Sequence, residues 1–490
     1  MMQRSPKMSA PNRVASVANM VTLSLISHTN AGKTTLARTL LRRDVGEVQD
    51  APHVTLFNES HTLIETSEET LRLWDTPGFG DSTRLLKRLQ REKNPVLWFL
   101  SQAWDRFTDR PLWCSQQALK NVRDDADIVL YLVNAGEPPE VAGYIPAEME
   151  ILSWVGKPVL VLLNQTGPPH SPTIEQAEVE LWTEHFRPYD FVKGVISLDA
   201  FARCWVQEDR FMEALEALVE PAKKLAFETL RMAWHQRNVQ TFEGAMKLLA
   251  EQLTAAVLDG ADVRDETLME RVGIRRAEIN REYNEARQKL AVQMAERAEH
   301  ATNALIRLHD LEGLASRTEG RFSAEQFHTP EKVSESVWSI LGSFAGGAMG
   351  GLIADLKSGG MTFGGGALLG GLGAGLGAYA LIRSYNLVRG SDDRLHWSSE
   401  HFREQTRLAM LCYLAVAHFG RGRGSWQESE QPQHWRVVVD EVLERYADDL
   451  DRAWTSGVKK KAMPDVVFRS VSTVVMKCGR AVLDRLYPSA

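Results

Sequence analysis

The stretch that decides the fold is "SLISHTNAGKTTLARTLL", Ser24 to Leu41. Its first residues close an apolar run, and its last carry apolar positions at Leu36, Leu40 and Leu41 among helix formers. Gly32-Lys33-Thr34 stands between them, the end of the pattern G-x-x-x-x-G-K-[ST]. In that pattern a loop between a buried strand and a helix surrounds a phosphate with backbone N–H groups, and the helix N-terminus adds a favourable dipole. Here the pattern opens on Ser27 instead of glycine. A small serine fits if its backbone keeps negative φ, because the closer phosphate contact falls to Gly32. In this frame Lys33 reaches the β- and γ-phosphates and the Thr34 hydroxyl ligates Mg²⁺, with Ala31 and Thr35 beside them in the binding loop.

Other elements follow in order, each near a strand end. "DTPGFGDS" (Asp75 to Ser82) places the Asp75 carboxylate toward a metal and the Gly78 N–H where a γ-phosphate would lie. A loop built this way has two states, ordered by the γ-phosphate and released after hydrolysis. Between the two motifs, "GEVQDAPHVT" offers Thr55 as a second metal-ligating hydroxyl. Further on, "LLNQTG" ends a buried strand with Asn164 and Gln165, and "VISLDA" ends the last with Ser197. Unrelated turns after buried strands explain each element singly but not the series.

Outward from the loop, residues 20–205 alternate short apolar runs with amphipathic stretches, the rhythm of βα units around a mainly parallel sheet flanked by helices. Strands are expected at Val21 to Ile26, Thr70 to Asp75, Asp127 to Asn134, Pro158 to Asn164 and Phe191 to Ser197, with an antiparallel edge strand around His61 to Glu65. Residues 84–120, rich in Arg, Lys and Trp, are longer than a crossover needs and read as a helical insertion.

These residues resemble the translation-factor-related P-loop GTPases, in particular their Era and TrmE branch, over roughly residues 20–200. Asn30 matches the loop asparagine that in that branch helps hold K⁺, "VQDAPHVT" lines up with its first switch, and "DTPG" matches closely. The resemblance implies GTP as ligand, Mg²⁺ held by Thr34, Thr55 and Asp75, and hydrolysis served by Lys33, Thr55 and Gly78. It also implies nucleotide contacts from Asn30 through Thr35 and from Asn164, Gln165 and Ser197. Two positions depart. The branch's N-K-x-D, whose aspartate reads guanine, is Asn164-Gln165-Thr166-Gly167 here, which puts GTP over ATP selectivity in question; Asp199 is a candidate substitute. Phe79 stands where Ras-like enzymes carry a water-orienting glutamine. Slow turnover stimulated by potassium or a partner is therefore expected. The rivals are a nucleotide-binding scaffold that does not hydrolyse and a ribosome- or RNA-associated GTPase. The whole chain also resembles a bacterial group that joins such a domain to a helical C-terminal region of unknown function.

Composition bounds the rest. At 490 residues the chain exceeds one core, and a net charge of −7 with no basic module gives no reason to expect a specific nucleic-acid partner. Four cysteines without C-x-x-C spacing fit a reducing cytoplasm, and residues 1–19 lack an apolar signal core and read as a disordered leader. Lone histidines such as His28, His53 and His61 have no spacing that names a metal site.

Beyond residue 206 strand signals vanish. Residues 206–330 read as a long-helix or stalk region, with an amphipathic stripe through Ile279, Tyr283, Ala286, Leu290, Met294, Ala301, Leu305 and Leu308. Residues 331–390 hold a glycine-rich helical hairpin whose core, 337–382, has arms long enough for the ~30 Å of a bilayer. Small-xxx-small spacings favour tight helix pairing, whereas Asp355 and Lys357 and the scarcity of bulky apolar residues oppose insertion. A membrane hairpin on the cytoplasmic face, a buried soluble hairpin and a glycine-rich loop all remain open. Residues 391–490 are expected to be helical, closing on a stripe from Val467 to Leu486, and a homo-oligomer would offer another partner.

Overall fold

The computed structural model describes residues 19–28, 31–43, 58–79, 82–91, 93–101, 110–167, 170–200, 204–263, 276–311, 387–390, 394–420, 432–459 and 461–488. Asn30, Thr55, the leader and the 337–382 hairpin lie outside the described residues. The chain divides into two compact units: residues 1–166, 178–200 and 207–237 form the first, and 167–177, 201–206 and 238–490 the second.

The first unit is built on a six-stranded sheet. Its strands are β1 (Met20–Ser27), β2 (Glu59–Glu65), β3 (Thr70–Asp75), β4 (Ile128–Asn134), β5 (Val159–Asn164) and β6 (Val192–Ser197), in the order β2-β3-β1-β4-β5-β6. All neighbours are parallel except β2, which runs antiparallel at the edge. The continuous apolar runs of β4 and β5 are buried at successive positions, as expected when helices cover both faces. Edge strand β2 is mostly polar and largely solvated. Helix α1 (Lys33–Leu41) follows β1, and the described residues between β3 and β4 include helices α2 (Ser82–Leu89), α3 (Pro95–Ser101) and α4 (Arg110–Asp124). Then come α5 (Ile145–Ser153), α6 (Pro172–Phe186), α7 (Trp205–Glu216) and α8 (Lys224–Leu258). One core layer joins Phe79, Leu85, Phe99, Tyr131, Met149, Val161, Trp182 and Phe186. Because connections from β1 leave toward β3 on one side while β4 lies on the other, the strand order switches direction at β1, where open α/β sheets place their ligands.

The second unit is mostly helical. The later part of α8, α9 (Arg276–Leu308), α10 (Ser399–Ala417), α11 (Gln433–Arg445), α12 (Ala447–Gly457) and α13 (Pro464–Leu486) share a core through Leu249, Leu253, Leu305, Met410, Leu414, Val439, Val471 and Val475. Of the six stripe positions in α9 whose burial is described, Ala286, Leu290, Met294, Ala301 and Leu305 are buried and Leu308 is half-buried. Val467, Val471, Val474, Val475, Cys478, Val482 and Leu486 are likewise buried along α13.

The sequence reading needs one correction here. Among the described residues three strands occur after residue 206: β7 (Ala261–Asp262), β8 (Leu387–Arg389) and β9 (Arg394–Trp397), an antiparallel sheet ordered β7-β9-β8. At two to four residues they are too short to carry a period-two pattern, and tertiary pairing decides them. Among the described residues no helix is long and apolar enough to cross a membrane.

Candidate nucleotide-binding site

Backbone geometry sets the loop. Gly32 caps α1 with φ +87°, a left-handed conformation that favours glycine, and its carbonyl accepts the Leu36 N–H at 2.9 Å. A Cβ at this position would lie 2.6 Å from the Asn164 Nδ2. Both conformation and space thus require glycine there. Ser27 keeps negative φ and is fully buried at the end of β1.

The side chains converge. Lys33 is buried, and its Nζ donates to the Ser27 Oγ at 2.9 Å, while the Ser27 hydroxyl donates to the His28 carbonyl at 2.5 Å. The serine that breaks the motif is therefore the partner of the motif's lysine. Burial lowers the Lys33 pKa, opposed first by the Asp75 carboxylate and then by that of Glu148. Thr34 Oγ1 donates to Asp75 Oδ2 at 2.6 Å, and Asp75 Oδ1 is buried without a hydrogen-bond partner. Burial pushes the Asp75 carboxyl up to about 6, against the opposing influence of the Thr34 hydroxyl and the Lys33 ammonium. A hydroxyl beside a buried carboxylate with an unsatisfied oxygen is a donor set that fits a hard divalent cation.

The D-x-x-G segment is strapped to β1. Thr76 Oγ1 donates to the Leu25 carbonyl at 2.5 Å, and the Phe79 N–H donates to the Ser27 carbonyl at 2.8 Å. Gly78 lies buried between these ties. Phe79 is fully buried and its ring belongs to the sheet core, so no polar side chain follows Gly78.

On the opposite side of the loop, Asn164 acts as a brace. Its Nδ2 donates to the Ala31 carbonyl and its Oδ1 accepts the Ala200 N–H, both at 2.8 Å. Gln165 next to it has φ +60°. The Asp199 carboxylate accepts from the Thr166 N–H at 2.7 Å and the Thr166 hydroxyl at 2.9 Å, joining the ends of β5 and β6. Ser197 ends β6 in register with Leu163, and Thr35 is buried on α1, its carbonyl accepting from Thr39 Oγ1. After Ser197, Leu198 bonds to the Leu163 carbonyl and Asp199 and Ala200 meet Thr166 and Asn164, and of these only Asp199 carried a signal in the sequence. His28 and Glu148, whose side chains pair at 2.8 Å, are 120 residues apart and share no local pattern.

Residues 22–165 match the family model described as 50S ribosome-binding GTPase. Residues 192–463, more than half of the chain, match a domain of unknown function, DUF3482. The chain belongs to the DUF3482 family. No curated protein matches this DUF3482 chain. Similar solved structures include Era in complex with MgGDPNP and a segment of 16S ribosomal RNA, at 17% identity and TM-score 0.28, covering 41% of this chain and 57% of that one. A variant of Era from Aquifex aeolicus bound to GDP and AlF4⁻ is 15% identical with TM-score 0.29, covering 51% of this chain and 69% of that one. A probable GTP-binding protein engB is 17% identical with TM-score 0.23, covering 40% and 98%. At such scores these likenesses carry no argument about role. The DUF3482 protein thus has an N-terminal P-loop GTPase domain with a mostly parallel sheet flanked by helices, followed by a helical region, and the GTPase match supports GTP binding.

Proposed function

We propose that this protein is a GTP-binding switch of the Era and TrmE type that slowly hydrolyses GTP to GDP and phosphate. The observation that carries the reading is the triad at the head of α1: buried Lys33, and Thr34 bonded to an Asp75 whose second oxygen is unpartnered. Lys33 would exchange its Ser27 partner for phosphate oxygens, and the backbone amides at Gly32 and beyond would cradle the β-phosphate. Thr34 and Asp75, with Thr55 from the first switch, would hold Mg²⁺, whose role when bound is to neutralise charge on the β- and γ-oxygens. The Gly78 N–H would sense the γ-phosphate, so that its loss releases the segment from Asp75 to Phe79. Positioning and charge stabilisation carry such chemistry, and no covalent nucleophile is required.

Asn164 would brace the loop on the base side, with Gln165 and the Ser197 segment lining it. Because Gly167 brings no carboxylate and Asp199 is engaged by Thr166, we expect weaker discrimination of GTP from ATP than an N-K-x-D site gives. Calorimetric titration with GTP, GDP and ATP, with and without Mg²⁺ and K⁺, tests the reading; absence of heat and of thermal protection with every nucleotide would overturn it. Lys33→Ala should abolish binding and phosphate release.

The buried Phe79 favours a second reading, a scaffold that binds nucleotide without turnover, which phosphate release from the wild type would exclude. The description of the matching GTPase family favours a ribosome-associated role, which co-sedimentation with ribosomes would detect. Coupling to a membrane through 337–382, or to a second copy, rests on the sequence of that segment, and fractionation of a chain lacking it tests the membrane arm.

A further inference from the structure

The phosphate loop carries a histidine to which the reading above gives no task. His28 follows Ser27 and forms a parallel bridge with Phe79, the residue after Gly78. Its ring stacks on Tyr144 with centroids 4.3 Å apart and planes inclined by 16°. His28 Nδ1 lies 2.8 Å from the Glu148 Oε1. Glu148 is fully buried, whereas about a third of the His28 side chain is exposed, at 35%. The second carboxylate oxygen, Oε2, accepts from the Tyr131 hydroxyl at 2.7 Å. Tyr131 is itself buried, and burial together with Glu148 holds its pKa well above the usual phenol value, so it stays a donor. An ionised Glu148 can only accept, which leaves Nδ1–H as the donor and presents the Nε2 lone pair at the ring's other edge. The Glu148 carboxylate also opposes the lowering of the Lys33 pKa by burial, which puts it within electrostatic reach of that ammonium.

A histidine whose tautomer and plane are fixed by a buried carboxylate is the arrangement by which proteins prepare an imidazole base. It stands one strand position across from the residue that would orient water in Ras-like enzymes, and that residue here is a buried phenylalanine. We propose that His28, oriented by Glu148, positions the attacking water and takes its proton during triphosphate hydrolysis. The inference rests on the GTPase reading above. In the step, the water oxygen forms a bond to the γ-phosphorus as the bond from phosphorus to the β–γ bridging oxygen breaks, its electron pair leaving with GDP. One water proton moves to Nε2, the resulting imidazolium is balanced by Glu148, and the proton is then lost to solvent. GTP and water thus become GDP, hydrogen phosphate and one proton.

The test compares full-length wild type, His28→Ala, His28→Gln and Glu148→Gln by three measurements: affinity for a fluorescent GTP analogue with Mg²⁺, single-turnover phosphate release, and ¹⁵N NMR of the imidazole in nucleotide-free protein. His28→Ala should bind nucleotide like the wild type and lose roughly 10²-fold in the chemical step. His28→Gln, which still orients water but takes no proton, should lose less. Glu148→Gln should slow the step with affinity retained, and the wild-type NMR should report the proton on Nδ1. Wild-type rates in a folded His28→Ala, or a wild-type ring protonated at Nε2 alone, would overturn the inference and leave the GTPase reading standing. A wild type that binds GTP without releasing phosphate would overturn the inference in favour of the scaffold, and one that binds no nucleotide would overturn both.

Discussion

At the scale of single residues, the site is a set of buried polar groups whose costs have definite signs. Asp75 is raised from 3.8 to about 6, so between those values the unfolded chain has released a proton that the folded carboxyl retains. Stability of the metal-free protein should therefore fall as pH rises through that window, by roughly 3 kcal/mol at pH 7. Asp75→Asn removes the penalty: urea denaturation should find it more stable than wild type near pH 7 and little different near pH 4, while protection by Mg²⁺-GTP is lost. Ser27 works in the other direction. Replacing it with alanine strips the buried Lys33 of a partner and should cost roughly 1–3 kcal/mol in the nucleotide-free protein, with nucleotide affinity retained or improved because nothing then competes for the ammonium. The sequence made Lys33, Thr34 and Asp75 legible because their spacing is local to strand ends. It did not reveal the Ser27 bond to Lys33 or the tie between Thr166 and Asp199. Those depend on rotamers and on strand neighbours, which spacing along the chain does not encode.

At the scale of elements, the strands of the first unit could be read because fully buried parallel strands are written as apolar runs, and their boundaries fell within a residue or so of β1 and β3 to β6. The short β7, β8 and β9 were not legible, since each has too few residues for a period and takes its conformation from its neighbours. Asn164 shows how an element end does structural work for the site. Asn164→Ala would leave the Ala31 carbonyl and the Ala200 amide without a shared partner, and chemical denaturation should record a loss of about 1–3 kcal/mol together with weaker nucleotide binding. In the helical unit, a Cβ on Gly457 at the end of α12 would sit 2.1 Å from Val257 Cγ1, a side chain too stiff to swing away. Gly457→Ala should destabilise by about 1–3 kcal/mol. Pairing it with Val257→Ala should recover part of that loss in a double-mutant cycle.

At the scale of the whole molecule, two units with separate cores imply that ligand energy enters through one of them. Differential scanning calorimetry with Mg²⁺-GTP at a hundredfold excess over its dissociation constant should stabilise the unit that holds Lys33 by about 2.7 kcal/mol. None of the four cysteines forms a disulfide bond, so reductant should leave the transitions unchanged. The order of an α/β domain followed by a helical region was legible from the change in pattern along the chain, whereas the start of the second family match at residue 192, within β6, was not. Phe79 has a consequence for how such a chain can evolve. Its ring is a keystone of the sheet's packing, so a mutation that installed a faster clock at this position would dismantle the masonry around it. If the chain turns over GTP as proposed, tempo is then tuned from neighbouring positions or by visitors, and a lineage could lengthen or shorten its signal without rebuilding the vault.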